Sequence, residues 1–375
     1  MERTTLPNIY RTAAAFFVIA MTVIVVYLAV DVVAPLLIAL LLAILARPIV
    51  KFLNEKWKFP HILAVAVVVV LGALLILGLT TFLGFQMASF ADDLPKIKDN
   101  LVQHVSTVQE WLEGQTGMSV EDQDAMVSDA MSGGQVVSMS SLGSITNTFM
   151  YIFLIPIFTF LILIYRSLLL NFIIKLVPDS QVLAIQDVLL QIKSVVRSYI
   201  VGLGMQVLIV SLLTGIGYAI IGVKYFVFLA ILTGLLNLVP YIGIIIACVV
   251  SCLLTLASGD DILQLVWVLA VNAVVQVIDN NILQPKIVGS KVSVNALASM
   301  VGVIIGGSIA GIPGMFLAIP VLAILKVIFA NVKGMEPYAY IIADDIPKTF
   351  DWNKIRLIYT RKMRDQQKLE DENNN

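Results

Sequence analysis

Asp279 is the residue with the clearest chemical potential, because it is the only acidic residue between Asp261 and Lys333 in a strongly apolar region. A carboxylate at the centre of a single membrane helix costs about 2.5–3.5 kcal/mol on insertion scales. Helical spacing places Asp279 on one face with three other polar residues, and this face must point away from lipid. The four residues of this polar stripe are Asn272, Gln276, Asp279 and Asn280.

A second polar row could form the wall opposite this stripe, since Thr233, Asn237 and Tyr241 are spaced by four residues. A carboxylate removed from water tends to take up a proton, so Asp279 could carry one. The pattern favours a pathway for a substrate or an ion. The alternative is that Asp279 and Asn280 close the cytoplasmic end of a helix by binding turn backbone before Pro285.

The composition points to lipid as the environment of this chain. Of its 375 residues, 59% are hydrophobic and 13% charged, whereas globular proteins have about 45–50% apolar and about 25% charged residues. The mean hydropathy is +0.96. These values exclude a soluble enzyme, a secreted domain and a disordered chain. The net charge of -1 gives no basic stripe for nucleic acid.

The sequence predicts neither an enzyme nor a bound metal or cofactor. Its two histidines and two cysteines show no metal-ligand spacing. No Gly-rich phosphate loop ending in Lys-Ser/Thr is present, so ATP hydrolysis is not expected. Ser/His, Cys/His and paired-carboxylate constellations are also missing from the apolar segments.

Apolar runs of about 20 residues predict an all-α integral membrane protein, a polytopic helical bundle. Two further apolar segments, at 225–259 and 294–332, are interrupted by glycine and proline. When each of these counts as one pair of hairpin arms, the chain has about eight hydrophobic helices or arm pairs. The uninterrupted predicted spans are 13–30, 32–52, 62–87, 145–165, 199–223 and 262–283.

The two interrupted segments are predicted to be re-entrant hairpins, since two full spans need about 40 residues plus a turn. They would enter from opposite membrane faces, so a span followed by a hairpin occurs twice in inverted orientation, as in many secondary transporters. The alternative is a bundle of eight full spans. The expected turn and hinge residues are Pro240, Gly243, Pro285, Gly289, Gly306, Gly307, Gly311, Pro313, Gly314 and Pro320.

The Lys and Arg distribution predicts cytoplasmic N- and C-termini, because it places twenty of these residues inside and three outside. An amphipathic helix at 178–197 would lie along the membrane or pack on another helix. The predicted parts are the N-terminal helices (1–91), an acidic extracytoplasmic amphipathic and loop segment (92–146), the fourth span with the amphipathic helix (147–197), a transport core with both hairpins (198–332) and a cytoplasmic tail (333–375).

Three motifs together resemble the autoinducer-2 exporter family of prokaryotic membrane transporters. They are Asn237-Leu-Val-Pro-Tyr-Ile-Gly243, Asp279-Asn280 with Pro285 and Gly289, and the last hairpin with Gly306-Gly307, Gly311, Pro313-Gly314 and Pro320. The chain departs from the pattern of many members at Ile244, where they have proline, and at Asn295-Ala296, where they have His-Pro.

The resemblance implies a multi-pass secondary transporter of the bacterial inner membrane. It would export a small molecule such as autoinducer-2 by alternating access, with an elevator-like motion of residues 198–332. Other members resemble sodium or lithium/proton antiporters, which is the first alternative; a non-transport membrane scaffold is the second. The expected partners are the lipid bilayer, a small-molecule or cation substrate and further copies of the chain, without nucleic acid.

Overall fold

The computed structural model describes the backbone of residues 27–116, 142–239, 242–258, 262–289 and 294–344, with single positions at 17, 21, 24 and 25. These ranges are helical apart from short connections and one isolated β-bridge between Val294 and Ala343. The all-α prediction is therefore confirmed for them. Most of the predicted first span at 13–30 and the loop at 117–141 lie outside the described residues.

The described residues form ten α-helices, and two helices of other types join them. A 3₁₀ turn at Asp179–Gln181 precedes α5, and a π-helix at Asp279–Gly289 continues α8. The α-helices are α1 (Val30–Lys56), α2 (His61–Thr116), α3 (Leu142–Ile164), α4 (Arg166–Lys175), α5 (Val182–Ile220), α6 (Phe226–Leu236), α7 (Ile242–Ser258), α8 (Ile262–Ile278), α9 (Ala296–Asn331) and α10 (Glu336–Ile342).

Among the described residues, five helical segments are long and apolar enough to cross a membrane, and α3 with α4, bent by 64°, makes a sixth candidate. Large apolar side chains lie on the outer surface of the long helices; Leu75, Leu208 and Ile220 are 70%, 71% and 82% exposed. Soluble monomers rarely expose such extensive apolar surface. The protein is therefore a multi-pass membrane protein.

Two helices extend across boundaries that the sequence suggested. Helix α2 continues past residue 91 without interruption, so it includes both the third span and the amphipathic start of the next segment. Helix α5 joins the amphipathic residues 182–197 directly to the fifth span. The reason in α5 is that no proline interrupts residues 182–220, and the buried residues Val196, Tyr199 and Leu203 keep helical spacing across the predicted boundary after residue 197.

Helix α5 is the central helix of the described structure. It packs against α1, α6, α8, α9 and the π-helix. Its buried side chains recur every three or four residues, so one face of α5 packs against these partners. They include Val196, Tyr199, Leu203, Gln206 and Val210.

The first predicted hairpin contains two short helices, α6 and α7, which lie antiparallel. Phe228 of α6 and Leu254 of α7 belong to one buried cluster, and Gly243 approaches the carbonyl oxygen of Leu236 across the turn. At 1.5 Å per residue, α6 is about 16 Å long, half the thickness of a hydrocarbon core. Pro240 and Tyr241 lie outside the described residues, and re-entry into the membrane stays a prediction.

The second predicted hairpin is folded back at Ala310 and Gly311 within α9. Gly311 has φ 59° and ψ -141°, a conformation that is almost restricted to glycine. The arms at 296–309 and 312–331 then run antiparallel, because Gly306 approaches the carbonyl group of Gly314 and Gly302 contacts Leu322. The turn falls inside the predicted range of 306–314, and its depth in the membrane stays a prediction.

Prolines and small residues shape the arms of this second hairpin. Pro313 lies in the first turn of the second arm, where a missing N–H group costs little. Pro320 is buried further along the same arm, and Gly307 contacts Met315 across the hairpin. These residues allow the two arms to approach closely, as small residues do in membrane helix pairs.

Candidate functional site

The candidate site is centred on Asp279, the first residue of the π-helix. Its side chain is 1% exposed. The Gln206 side chain donates from Nε2 to both carboxylate oxygens, at 2.8 Å to Oδ1 and 3.0 Å to Oδ2. The Asn237 side chain donates from Nδ2 to Oδ2 at 3.3 Å. The helix continues to Gly289 beyond Asp279, so the carboxylate joins three elements instead of closing a helix end.

Close backbone contacts bring these three elements together. A Cβ atom added to Gly234 of α6 would lie 2.7 Å from the carbonyl oxygen of Val207, which is next to Gln206. A Cβ atom added to Gly202 of α5 would lie 2.9 Å from the carbonyl oxygen of Ile287 in the π-helix. Glycine at both crossings therefore lets Gln206 and Asn237 reach the same carboxylate.

The negative charge of an ionised Asp279 would have no positive side chain beside it among the described residues. Both partners of Asp279 are neutral amides, and the part of the chain that the structure describes provides no Lys or Arg partner for it. Burying an ionised carboxylate costs several kcal/mol unless it is paired. Amide donors offset about 1.5–3 kcal/mol per hydrogen bond to a charged group. A bound cation would relieve the remainder.

The three contacts to Asp279 differ in strength. The two distances to Gln206 fall within the usual N–H···O range, whereas the 3.3 Å from Asn237 lies just beyond it. Gln206 and Asp279 therefore form the firmer pair. Asn237 closes α6 directly before the turn of the first hairpin, so its weaker bond connects that hairpin to the carboxylate.

The predicted polar stripe is divided in the structure. Asn272 donates to the Tyr218 hydroxyl at 2.7 Å, in a different contact from that of Asp279. Gln276 donates to Asn280 at 2.8 Å, and the Asn280 side chain is exposed. The physical reason for the position of Asn280 is that adjacent residues of a helix point in directions about 100° apart, so Asp279 can face inward while Asn280 faces outward.

The predicted opposing wall is described at two of its three positions. Asn237 faces Asp279, as expected. Thr233 is buried, and its hydroxyl has no hydrogen-bond partner among the described residues. Tyr241 lies outside them. Pro285 is inside the π-helix, and Gly289 is the last residue of that helix.

Gln206 was not predicted as a site residue, although it holds the carboxylate most closely. The sequence did contain an indication of its role, because Gln206 is an amide side chain in the uncharged predicted span at 199–223. Polar groups at membrane depth usually face partners in the bundle interior. The identity of the partner, 73 residues away, required the fold.

Asn295, one of the departures from the family pattern, has a structural role. Its Oδ1 accepts from the backbone N–H of Ala298 at 2.8 Å and caps α9. Its Nδ2 donates to the carbonyl oxygens of Ile341 and Ala343 at 2.7 and 2.9 Å. One side chain therefore fixes both the start of the second hairpin and the C-terminal end of α10.

A buried carboxylate held only by neutral amides, inside a multi-pass helical membrane protein, is typical of membrane transporters. The family model for AI-2E family transporters matches residues 16–334. The protein is therefore a member of the AI-2E transporter family, which confirms the resemblance seen in its motifs.

Similar proteins are known from several bacteria. A Haemophilus influenzae protein named "Putative transport protein" is 27% identical over 349 residues, covering 90% of this chain and 97% of its own length. The Escherichia coli K12 protein named AI-2 transport protein TqsA is 23% identical over 319 residues, covering 84% and 90%. The similarity extends over most of each protein and supports membrane transport in general.

Proposed function

We propose that the protein is a secondary transporter of the bacterial inner membrane that exports a small polar molecule such as autoinducer-2 by alternating access, with both termini in the cytoplasm. The observation that carries this proposal is the buried carboxylate of Asp279, held by neutral amides from two other elements. A group of this kind can bind a proton or cation in one conformation and release it in another. The name of the relative TqsA supports the choice of cargo.

In the proposed motion, Gln206 and Asp279 stay together and the hydrogen bond from Asn237 to Asp279 breaks. Gln206 and Asp279 would move together as α5 and the π-helix, which touch at Gly202 and Ile287. The 3.3 Å bond from Asn237 is the contact that breaks most easily when the first hairpin moves. Opening there would expose the carboxylate, which is enclosed in the described conformation.

The same carboxylate supports a second candidate, exchange of sodium or lithium for protons. An anionic side chain without a cationic partner among the described residues can alternate between a proton and a small cation, because each neutralises the buried charge. Asn237 and Gln206 also carry amide oxygens, which are suitable ligands for a hard cation. This activity would need no organic substrate.

Flux measurements on the purified protein in proteoliposomes test both candidates. Autoinducer-2 accumulation is measured in one arm, and sodium- or lithium-induced collapse of a pH gradient, followed with a trapped fluorescent dye, in the other. We expect flux above protein-free liposomes in at least one arm. Flux in neither arm, from protein that remains folded and correctly inserted, would contradict transport and favour a scaffold.

A further inference from the structure

An open cleft of about 550 Å³ lies where the first half of α5 passes the π-helix. Lys193 and Arg197 line it from α5, and Lys286 lines it from the π-helix. Lys193 and Arg197 are four residues apart and therefore share one face of α5. No acidic residue is among those that line the cleft, so three positive charges converge on one space.

These three cations have no salt-bridge partner among the described residues. Their mutual repulsion would be relieved by an anion in the cleft. Two hydroxyl groups, of Ser194 and Ser198, add further donors on the α5 side. A phosphate group fits this set, because Arg binds phosphate with two parallel N–H donors and Lys binds it as a point charge.

The rest of the lining indicates where the phosphate comes from. Leu190, Val201 and Met205 are apolar lining residues, and they are 52%, 40% and 46% exposed. A free phosphate ion gains nothing from such surface, whereas an acyl chain buries it. Basic pockets between membrane helices are a recurring binding site for anionic lipid head groups.

We propose that this cleft binds an anionic phospholipid, with its phosphate between Lys193, Arg197 and Lys286 and an acyl chain along the apolar residues. The lipid connects α5 to the π-helix at the point where Gly202 meets the Ile287 carbonyl oxygen. This site is separate from the Asp279 carboxylate and does not depend on the transported molecule.

Binding of defined lipids to the full-length protein in detergent tests the proposal. Native mass spectrometry and thermal shift are recorded with phosphatidylglycerol, with phosphatidylcholine and with inorganic phosphate alone. We expect saturable binding of phosphatidylglycerol and little of phosphatidylcholine. With about 1 kcal/mol per cation, the triple variant K193Q/R197Q/K286Q should bind phosphatidylglycerol about 100-fold more weakly.

Matched variants distinguish lipid binding in the cleft from lipid binding to positive charge elsewhere on the surface. The control K56Q/K175Q/K333Q removes three exposed cations outside the cleft and should bind as the unaltered protein does. The single variants Arg197→Gln and Lys286→Gln should each weaken binding about fivefold, from about 1 kcal/mol per cation, which keeps the proposal testable if the triple variant misfolds. The lipid assignment would be overturned if the control variant lost as much phosphatidylglycerol binding as the triple variant. It would also be overturned if a folded triple variant bound the lipid undiminished, or if millimolar phosphate displaced the lipid.

Discussion

The pairing of Gln206 with Asp279 allows a quantitative test of the charge on the buried carboxylate. We consider Gln206→Met, which keeps the length of the side chain and removes its donor, together with Asp279→Leu and the double variant. Gln206 Nε2 contacts both carboxylate oxygens, at 2.8 and 3.0 Å, so both oxygens act as acceptors. A single amide nitrogen therefore holds both oxygens, and the cycle tests whether it does so on an ionised carboxylate.

The magnitude follows from the type of hydrogen bond. A hydrogen bond to a charged group contributes about 1.5–3 kcal/mol to stability, and one between neutral groups about 0.5–1.5 kcal/mol. We therefore expect a coupling free energy of about 1.5–3 kcal/mol between the two substitutions. The effect of losing the Asn237 contact is present in both Asp279→Leu proteins and cancels in the cycle.

The assay is reversible unfolding of the four proteins in mixed detergent micelles at neutral pH, with the free energy of unfolding compared at one micelle composition. Methionine has nearly the shape and volume of glutamine, so the substitution at position 206 limits cavity and overpacking effects. A coupling below about 0.5 kcal/mol would refute the hydrogen-bonded pair itself. A value of about 1 kcal/mol would refute the ionised carboxylate.

Two further substitutions test the elements around the site. Gly306→Ala should lower the free energy of unfolding by about 1–3 kcal/mol, because its Cβ would collide with the Gly314 carbonyl group. The control Gly204→Ala, with open space around it, should be neutral or stabilising. Equal losses of stability in the two variants would contradict the hairpin packing. Asn295→Ala should lower the free energy of unfolding by about 0.5–2 kcal/mol through the lost cap of α9. It should also increase proteolysis after α10, and unchanged protease sensitivity would contradict the role of Asn295 in holding the end of that helix.

The sequence predicted the helices well where apolar residues form long runs. The bounds of α1, α3, α5 and α8 overlap the predicted spans, since lipid requires apolar surface over a fixed length. The turn at Gly311 also fell within its predicted range, because glycine is nearly the only residue that adopts the observed backbone angles. Both predictions follow from local chemistry.

The site was predicted only in part, because its geometry depends on long-range packing. The spacing of Thr233, Asn237 and Tyr241 suggested a polar wall opposite Asp279, and the structure places Asn237 in contact with that carboxylate. The π-helix could not be foreseen from helical spacing, and Asn280, which was expected on the same face as Asp279, is exposed. Gln206 was missed because its role depends on the close crossings at Gly202 and Gly234.

The central claim is that transport is coupled through Asp279, and paired flux measurements test it most directly. Asp279→Asn keeps the size of the side chain and an acceptor for Gln206 but removes the charge, whereas the control Asp187→Asn removes an exposed carboxylate from α5. In proteoliposomes with equal amounts of inserted protein, we predict that Asp279→Asn abolishes flux coupled to protons or cations and that Asp187→Asn does not. Unchanged coupled flux in the Asp279→Asn protein would contradict the account.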